Sequence, residues 1–388
     1  SNSLGGLQGL FDSSLSSLYT NDWLIQKSGI GFRKFNRKFG FVAKLTYQNA
    51  SLNNEQNLPL DLSVSKKFNA VLPFALVRFR FKNKASLFSM YRTYTVMPQA
   101  SQLSNAIDNS NPLQISTGNN SLNQQYGHWF MSKYNAASAT KGTVFYAMVN
   151  GGISTNYIGQ STYTAIRDTV YNGVELARGT QLTNPVNLGG QYSINSFITY
   201  GFPVDKLKSN LNFNLSGSTS MLPSLINGIE SKTQNSNVGL GVVLSSNISE
   251  NIDFTVSTES NFNNAVNQQN AEFNTQYLVQ VSKIKYDWIM PGGLTFRTQL
   301  QHQQYFGLTD VLDNTVLLWS AGIGKQLFKN KRGEIQLSVF DLLGQNNNIA
   351  QNFYDSYYQE SNTNVLTRYV LLSFSYNIRK FREGKSAY

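Results

Sequence analysis

Residues two apart share a character along most of this chain. Near its end, Leu366, Val370, Leu372, Phe374, Tyr376 and Ile378 fall on one parity, with Thr367, Ser373, Ser375 and Asn377 between them. A period of two is the strand period, and it gives each strand one oily and one wet face. The pattern recurs in Leu211, Phe213 and Leu215 against Asn210, Asn212 and Asn214. It recurs again in Ile252, Phe254 and Val256 against Asp253, Thr255 and Ser257, and in Ile335, Leu337 and Val339 against Glu334, Gln336 and Ser338. A soluble sheet shows this once. Repeated along a chain whose wet faces are mostly Asn, Ser, Thr and Gln, it predicts an all-β fold, a transmembrane antiparallel β-barrel.

Composition agrees. Aromatic residues make up 13% of the 388 and charged residues only 14%, many rings and few charges for a soluble chain of this length. No apolar run approaches the roughly 20 residues a spanning helix needs. The absence of cysteine excludes disulfides and thiolate metal sites. The net charge of +11 gathers where turns are expected, at Arg37 and Lys38, Lys82 and Lys84, Lys206 and Lys208, Lys331 and Arg332. Two readings stand: contact with anionic lipid head groups, or solvated turn residues that limit the hydrophobic span. No nucleic-acid module accompanies the charge. Ser1 opens no signal peptide, so an exported chain of this kind is expected to have carried one upstream.

Short turns and long polar stretches alternate. The turns fall at Asn36 and Arg37, Lys82 to Lys84, Ala139 and Thr140, Val204 and Asp205, Ser249 and Glu250, Pro291 to Gly293, and Asn330 to Gly333. The long stretches are 49–65, 98–124, 160–190, 222–237, 261–274, 307–314 and 345–364. Bacterial outer-membrane barrels have short periplasmic turns and long outward loops. Seven hairpins and a closing strand make about fifteen strands. That odd number predicts that these strands do not close on themselves and are part of a 22-stranded barrel, unless residues 1–23 hide one more strand and complete a barrel of about 16. The expected division is 1–23 as an extracellular loop or linker, 24–381 as the C-terminal part of the barrel, and 382–388 as a periplasmic tail.

Several stretches resemble a known family. Tyr91 to Tyr94, Pro98, Gln102 and Leu103, the run from Asp108 to Asn119, Phe340 to Asn346, and Asn364 through Phe381 look like the TonB-dependent outer-membrane receptors of the Bacteroidetes type. The resemblance implies an integral outer-membrane barrel that imports a bulky nutrient, such as a glycan, peptide or metal chelate. It implies as partners outer-membrane lipid and lipopolysaccharide, the chain's own N-terminal plug, the TonB energy-coupling protein and a surface lipoprotein. The rival reading is a structural or accessory barrel in a larger outer-membrane complex, without transport.

Candidate ligand contacts lie in the loops: Asn111 and Asn119 in 98–124, and Tyr354, Tyr357 and Tyr358 in 345–364. The tyrosine cluster suits stacking on a sugar or hydrophobic ligand, or packing on its neighbours. Chemistry is thinly provided. His128 beside Trp129 reads as an interfacial anchor. His302, near a strand end, has no marked Ser or Asp partner for hydrolysis. No enzyme, metal or cofactor is expected. Tyr19, Trp23, Trp129, Tyr134, Trp288 and Trp319 are candidates for interfacial girdles.

Overall fold

A computed structural model describes residues 18–378, apart from 59, 60, 83, 105, 247, 248, 270, 308–314, 329, 330, 347, 354–357, 364 and 365. Its frame is one antiparallel sheet. Strands β1 to β5 are Leu18–Phe35, Phe39–Leu58, Leu62–Arg80, Ser86–Val96 and Gln125–Ser138. Strands β6 to β10 are Thr143–Thr155, Gln191–Val204, Ser209–Ile226, Ile229–Ser246 and Ile252–Asn267. Strands β11 to β15 are Thr275–Ile289, Leu294–Phe306, Thr315–Leu327, Gly333–Phe340 and Tyr369–Tyr376. Each pairs with the next in sequence order. Among the described residues β1 pairs only with β2 and β15 only with β14, so the sheet is open. No described helix is long and apolar enough to cross a membrane.

The described residues of all seven expected short turns stand at one end of the sheet; Asn83 and Asn330 lie outside the described residues. At the other end two stretches expected as loops simply prolong the frame strands. Residues 49–65 continue the β2–β3 hairpin, with Asn49 opposite Asn69 and Gln56 opposite Leu62. Residues 222–237 continue β8 and β9 to a two-residue turn of Asn227 and Gly228, both at positive φ as a tight hairpin needs. In 49–65 the membrane pattern reverses, with Ala50 and Leu52 buried on the otherwise polar face, and in 222–237 polar and apolar residues share both faces, so the lipid-facing alternation stops. A hairpin satisfies its ladder internally and does not need an oily face to persist.

The two faces sort as their parity predicts. Phe213 and Leu215 are exposed on the apolar face, and Asn212 and Asn214 lie less exposed on the polar one. In register, Phe202, Leu211, Leu244, Val256, Ile284, Leu300 and Trp319 form an apolar row across seven strands. Toward the short turns the apolar face carries a chain of rings. Phe32, Phe41, Phe39, Phe79, Phe81, Tyr134 and Phe145 follow one another at centroid distances of 4.9–6.4 Å or, between Phe79 and Phe81, 6.5 Å. Phe145 pairs with Tyr200, whose neighbour Phe202 extends the chain, and Phe213 continues it out of the girdle into the apolar band. The girdle is thus built mostly of phenylalanines. Tyr134, Trp288 and Trp319 share this face. Trp23 and Trp129 do not: Trp23 stacks on Phe68 on the polar face, and Trp129 lies under the Arg92 guanidinium.

The polar face is held by side-chain pairs. Near the short turns, Arg297 Nη1 and Nη2 donate to Glu334 Oε1 and Oε2 at 2.6 and 3.0 Å. Thr295 donates to Glu334, Lys285 pairs with Asp287 at 2.7 Å, and Arg297 also contacts Gln336. The small residues on this face of β13 explain the fit. A Cβ on Gly322 would stand 2.7 Å from Gln336 Nε2, and one on Gly324 would stand 2.9 Å from Glu334 Oε1.

Candidate functional site

The site begins where two strands part. The β3–β4 ladder ends at Phe74 and Arg92, although β3 runs on beside β2. Buried backbone carbonyls need partners. Three side chains from the far side of the gap supply them: Thr93 Oγ1 donates to Pro73 O at 3.1 Å, Tyr126 Oη to Val71 O at 2.6 Å, and Gln124 Nε2 to Asn69 O at 3.1 Å. Freed from β3, the chain after Val96 turns over the polar face.

This connection is anchored by its few apolar residues. A one-turn helix, Ala100–Leu103, is closed by a capping box between Gln99 and Gln102. Leu103 and Leu122, both fully buried, pack with Ala50, Leu52 and Phe68. Lys66 Nζ donates to Leu122 O at 2.8 Å. Next, Ile107–Asp108 pairs with Gln114–Thr117, which lies parallel to Gln181–Leu188. That strand pairs antiparallel with Tyr157–Thr164, so the β4–β5 and β6–β7 connections share one ladder. A second apolar cluster beneath it contains Ile115, Ala165, Val174, Leu176 and Leu182. The β8–β9 turn joins them: Asn227 N donates to Thr162 O at 2.9 Å, and Thr164 N donates to Asn227 Oδ1 at 2.8 Å.

Between these connections lies an open cavity of about 910 Å³. Gln102, Asp108, Thr117, Tyr157, Gln160 and Asn184 are among its lining residues, and no Lys, Arg or His is. Asp108 Oδ1 accepts from Ser110 N at 3.0 Å. That backbone hydrogen bond, helped by the Ser110 hydroxyl, holds the Asp108 carboxyl below the usual aspartate value. The site offers mainly neutral donors and acceptors, suited to holding a polar ligand. Among the described residues no three His, Asp or Glu side chains group as a metal site.

Asn111 and Asn119 serve the loop's own geometry. Asn111 Oδ1 accepts from Leu113 N at 3.1 Å. Asn119 Oδ1 accepts from Ser121 N at 2.9 Å, and its Nδ2 donates to Pro185 O at 2.9 Å, tying the two connections together. Neither lines the cavity. Tyr354 and Tyr357 lie outside the described residues, and Tyr358 opens the strand Tyr358–Thr363, paired with Phe353. His128 lies on the apolar face, its Nδ1 2.7 Å from Tyr91 Oη and its ring 5.1 Å from that of Tyr126. His302 pairs in register with Ser282 and Leu317. Gln102, Asp108, Tyr157, Gln160 and Asn184 went unread as a group. The available signal was Leu103, Ile115, Leu122, Leu176 and Leu182: apolar residues set into polar loops have to be buried somewhere.

A family model described as an outer membrane protein beta-barrel family matches residues 27–285 and 232–376. No curated protein and no solved structure matches the chain.

Proposed function

The chain belongs to the outer membrane protein beta-barrel family, and from that premise we propose that it is the barrel wall of a TonB-dependent receptor importing a bulky polar nutrient. The protein is integral to the bacterial outer membrane. In this reading the long-connection end faces outward, as in outer-membrane barrels generally. The cavity beneath the 97–124 and 156–190 connections then meets the ligand first. An N-terminal plug and the TonB protein would supply the gate and the energy, and a surface lipoprotein or lipopolysaccharide would border the mouth.

One observation carries this reading. Two connections are knitted together over the polar face by a shared ladder, two apolar clusters and the Asn119–Pro185 bond, and they border an open cavity of about 910 Å³. A barrel that only props up a complex has no need of a built mouth.

The test is uptake by whole cells producing the full-length protein. Labelled oligosaccharide, peptide and metal-chelate mixtures are supplied with and without a protonophore. Uptake of one class should depend on the protein, cease with the protonophore, and fall at least tenfold when residues 105–118 are replaced by a Gly-Ser linker. If removing the protein changes uptake of no class, transport is rejected and the accessory-barrel reading takes its place.

A further inference from the structure

Beside the ring chain, at the short-turn end, is a groove that the transport reading does not use. Strand β4 starts at Ser86, opposite Asn135, while β5 runs on to Ser138. The turn after β3 therefore sits recessed against the flank of the next hairpin. Lys82 and Lys84 stand in this recess, facing Ala136, Ser138, Thr140, Phe145 and Tyr200 across a groove of about 420 Å³. The turn is held by two backbone bonds, Phe81 N to Ala85 O at 2.8 Å and Lys84 N to Phe81 O at 3.2 Å. Both lysines thus project from a fixed frame. No carboxylate is among the groove's lining residues, so neither charge is neutralised there.

The groove is graded. One end offers two ammonium groups and the Ser138 and Thr140 hydroxyls, which lie 3.1 Å apart. The other end is apolar, with small alanines leaving room beside the Phe145 and Tyr200 rings. Tyr200 is 44% exposed on the face that meets lipid, and its ring belongs to the girdle. A cationic end at the head-group level continuous with an apolar slot at the acyl level matches one kind of molecule. We propose that this groove is a binding site for a single anionic glycerophospholipid, its phosphate between Lys82 and Lys84 and an acyl chain along Phe145 and Tyr200. Free phosphate would use only the charged end and leave the apolar slot empty.

The probe is phosphatidylglycerol, titrated onto the purified, delipidated protein in detergent and read by native mass spectrometry. One retained lipid is expected. The K82Q/K84Q variant should weaken its retention about thirtyfold, each lysine near a membrane surface being worth about fivefold. The K206Q/K208Q variant removes the same charge from another turn and should leave retention unchanged. Both variants are checked for the heat-resistant folded band. Equal loss in the two variants would reduce the effect to net charge. Unchanged retention in K82Q/K84Q, or displacement of the lipid by millimolar inorganic phosphate, would equally overturn the site.

Discussion

Replacing Phe213 by Arg tests the assignment of faces at a position where its cost can be worked out. Phe213 pairs with Tyr200 and Val242, is 46% exposed, and its ring lies 6.2 Å from that of Phe202. It stands five residues beyond the turn at Lys208. At about 3.3 Å per residue that is roughly 16 Å along the strand, and at a tilt of about 40° roughly 12 Å of height. The apolar band of such barrels is about 25 Å tall, so Phe213 falls near its middle. A charge there costs about 2–4 kcal/mol. Losing the ring pair adds about 0.5–1.5 kcal/mol. The expected destabilisation is therefore about 3–5 kcal/mol, at least a hundredfold in the folding equilibrium. Asn212, one residue earlier, lies on the polar face against Gly201. Asn212→Arg has water or polar wall to reach into and should cost less than about 1 kcal/mol. Urea titration of both variants in lipid vesicles, followed by the mobility shift of the folded form, measures the difference. Equal destabilisation by the two substitutions would refute the face assignment and with it the lipid-facing girdle.

Three further outcomes are expected. Arg297→Met should cost about 1–3 kcal/mol by leaving the Glu334 carboxylate, only 18% exposed, without its bidentate partner. Adding Glu334→Gln should recover part of that loss, and strict additivity in the double-mutant cycle would exclude the coupling. Gly118→Ala should loosen the cavity roof without unfolding the wall, because its Cβ would lie 2.8 Å from Gln102 O and closer still to Ser104 O; limited proteolysis should cut within 97–124 while the heat-resistant band persists, and an uncut loop would show that the contact relaxes cheaply. A protease site inserted at 109–111 should be cleaved on intact cells and one at 140–141 should not, and the reverse pattern would invert the orientation.

The strands were legible because a membrane-facing strand has to repeat its oily face every second residue, and Leu211, Phe213 and Leu215 do so without interruption. The short turns were legible because Gly, Asn and Lys cluster where the chain reverses. The long hairpin extensions at 49–65 and 222–237 were not, since beyond the lipid-facing band the oily face no longer repeats on one side: Ala50 and Leu52 turn to the polar face to meet a loop. The cavity was hidden for a different reason. Its lining comes from two connections separated by the whole β5–β6 hairpin, brought together by the ladder between Gln114–Thr117 and Gln181–Leu188. Asn111 and Asn119 stood out in the sequence because turn-making residues stand out; what they make is the turn. Sequence alone therefore determined the all-β antiparallel class, the facing of strands such as β8, β10 and β14, and the end at which the chain turns tightly. Tertiary structure decided which polar side chains meet, because alternation records what each residue faces, lipid or not, whereas a site depends on pairings between segments that no local period encodes.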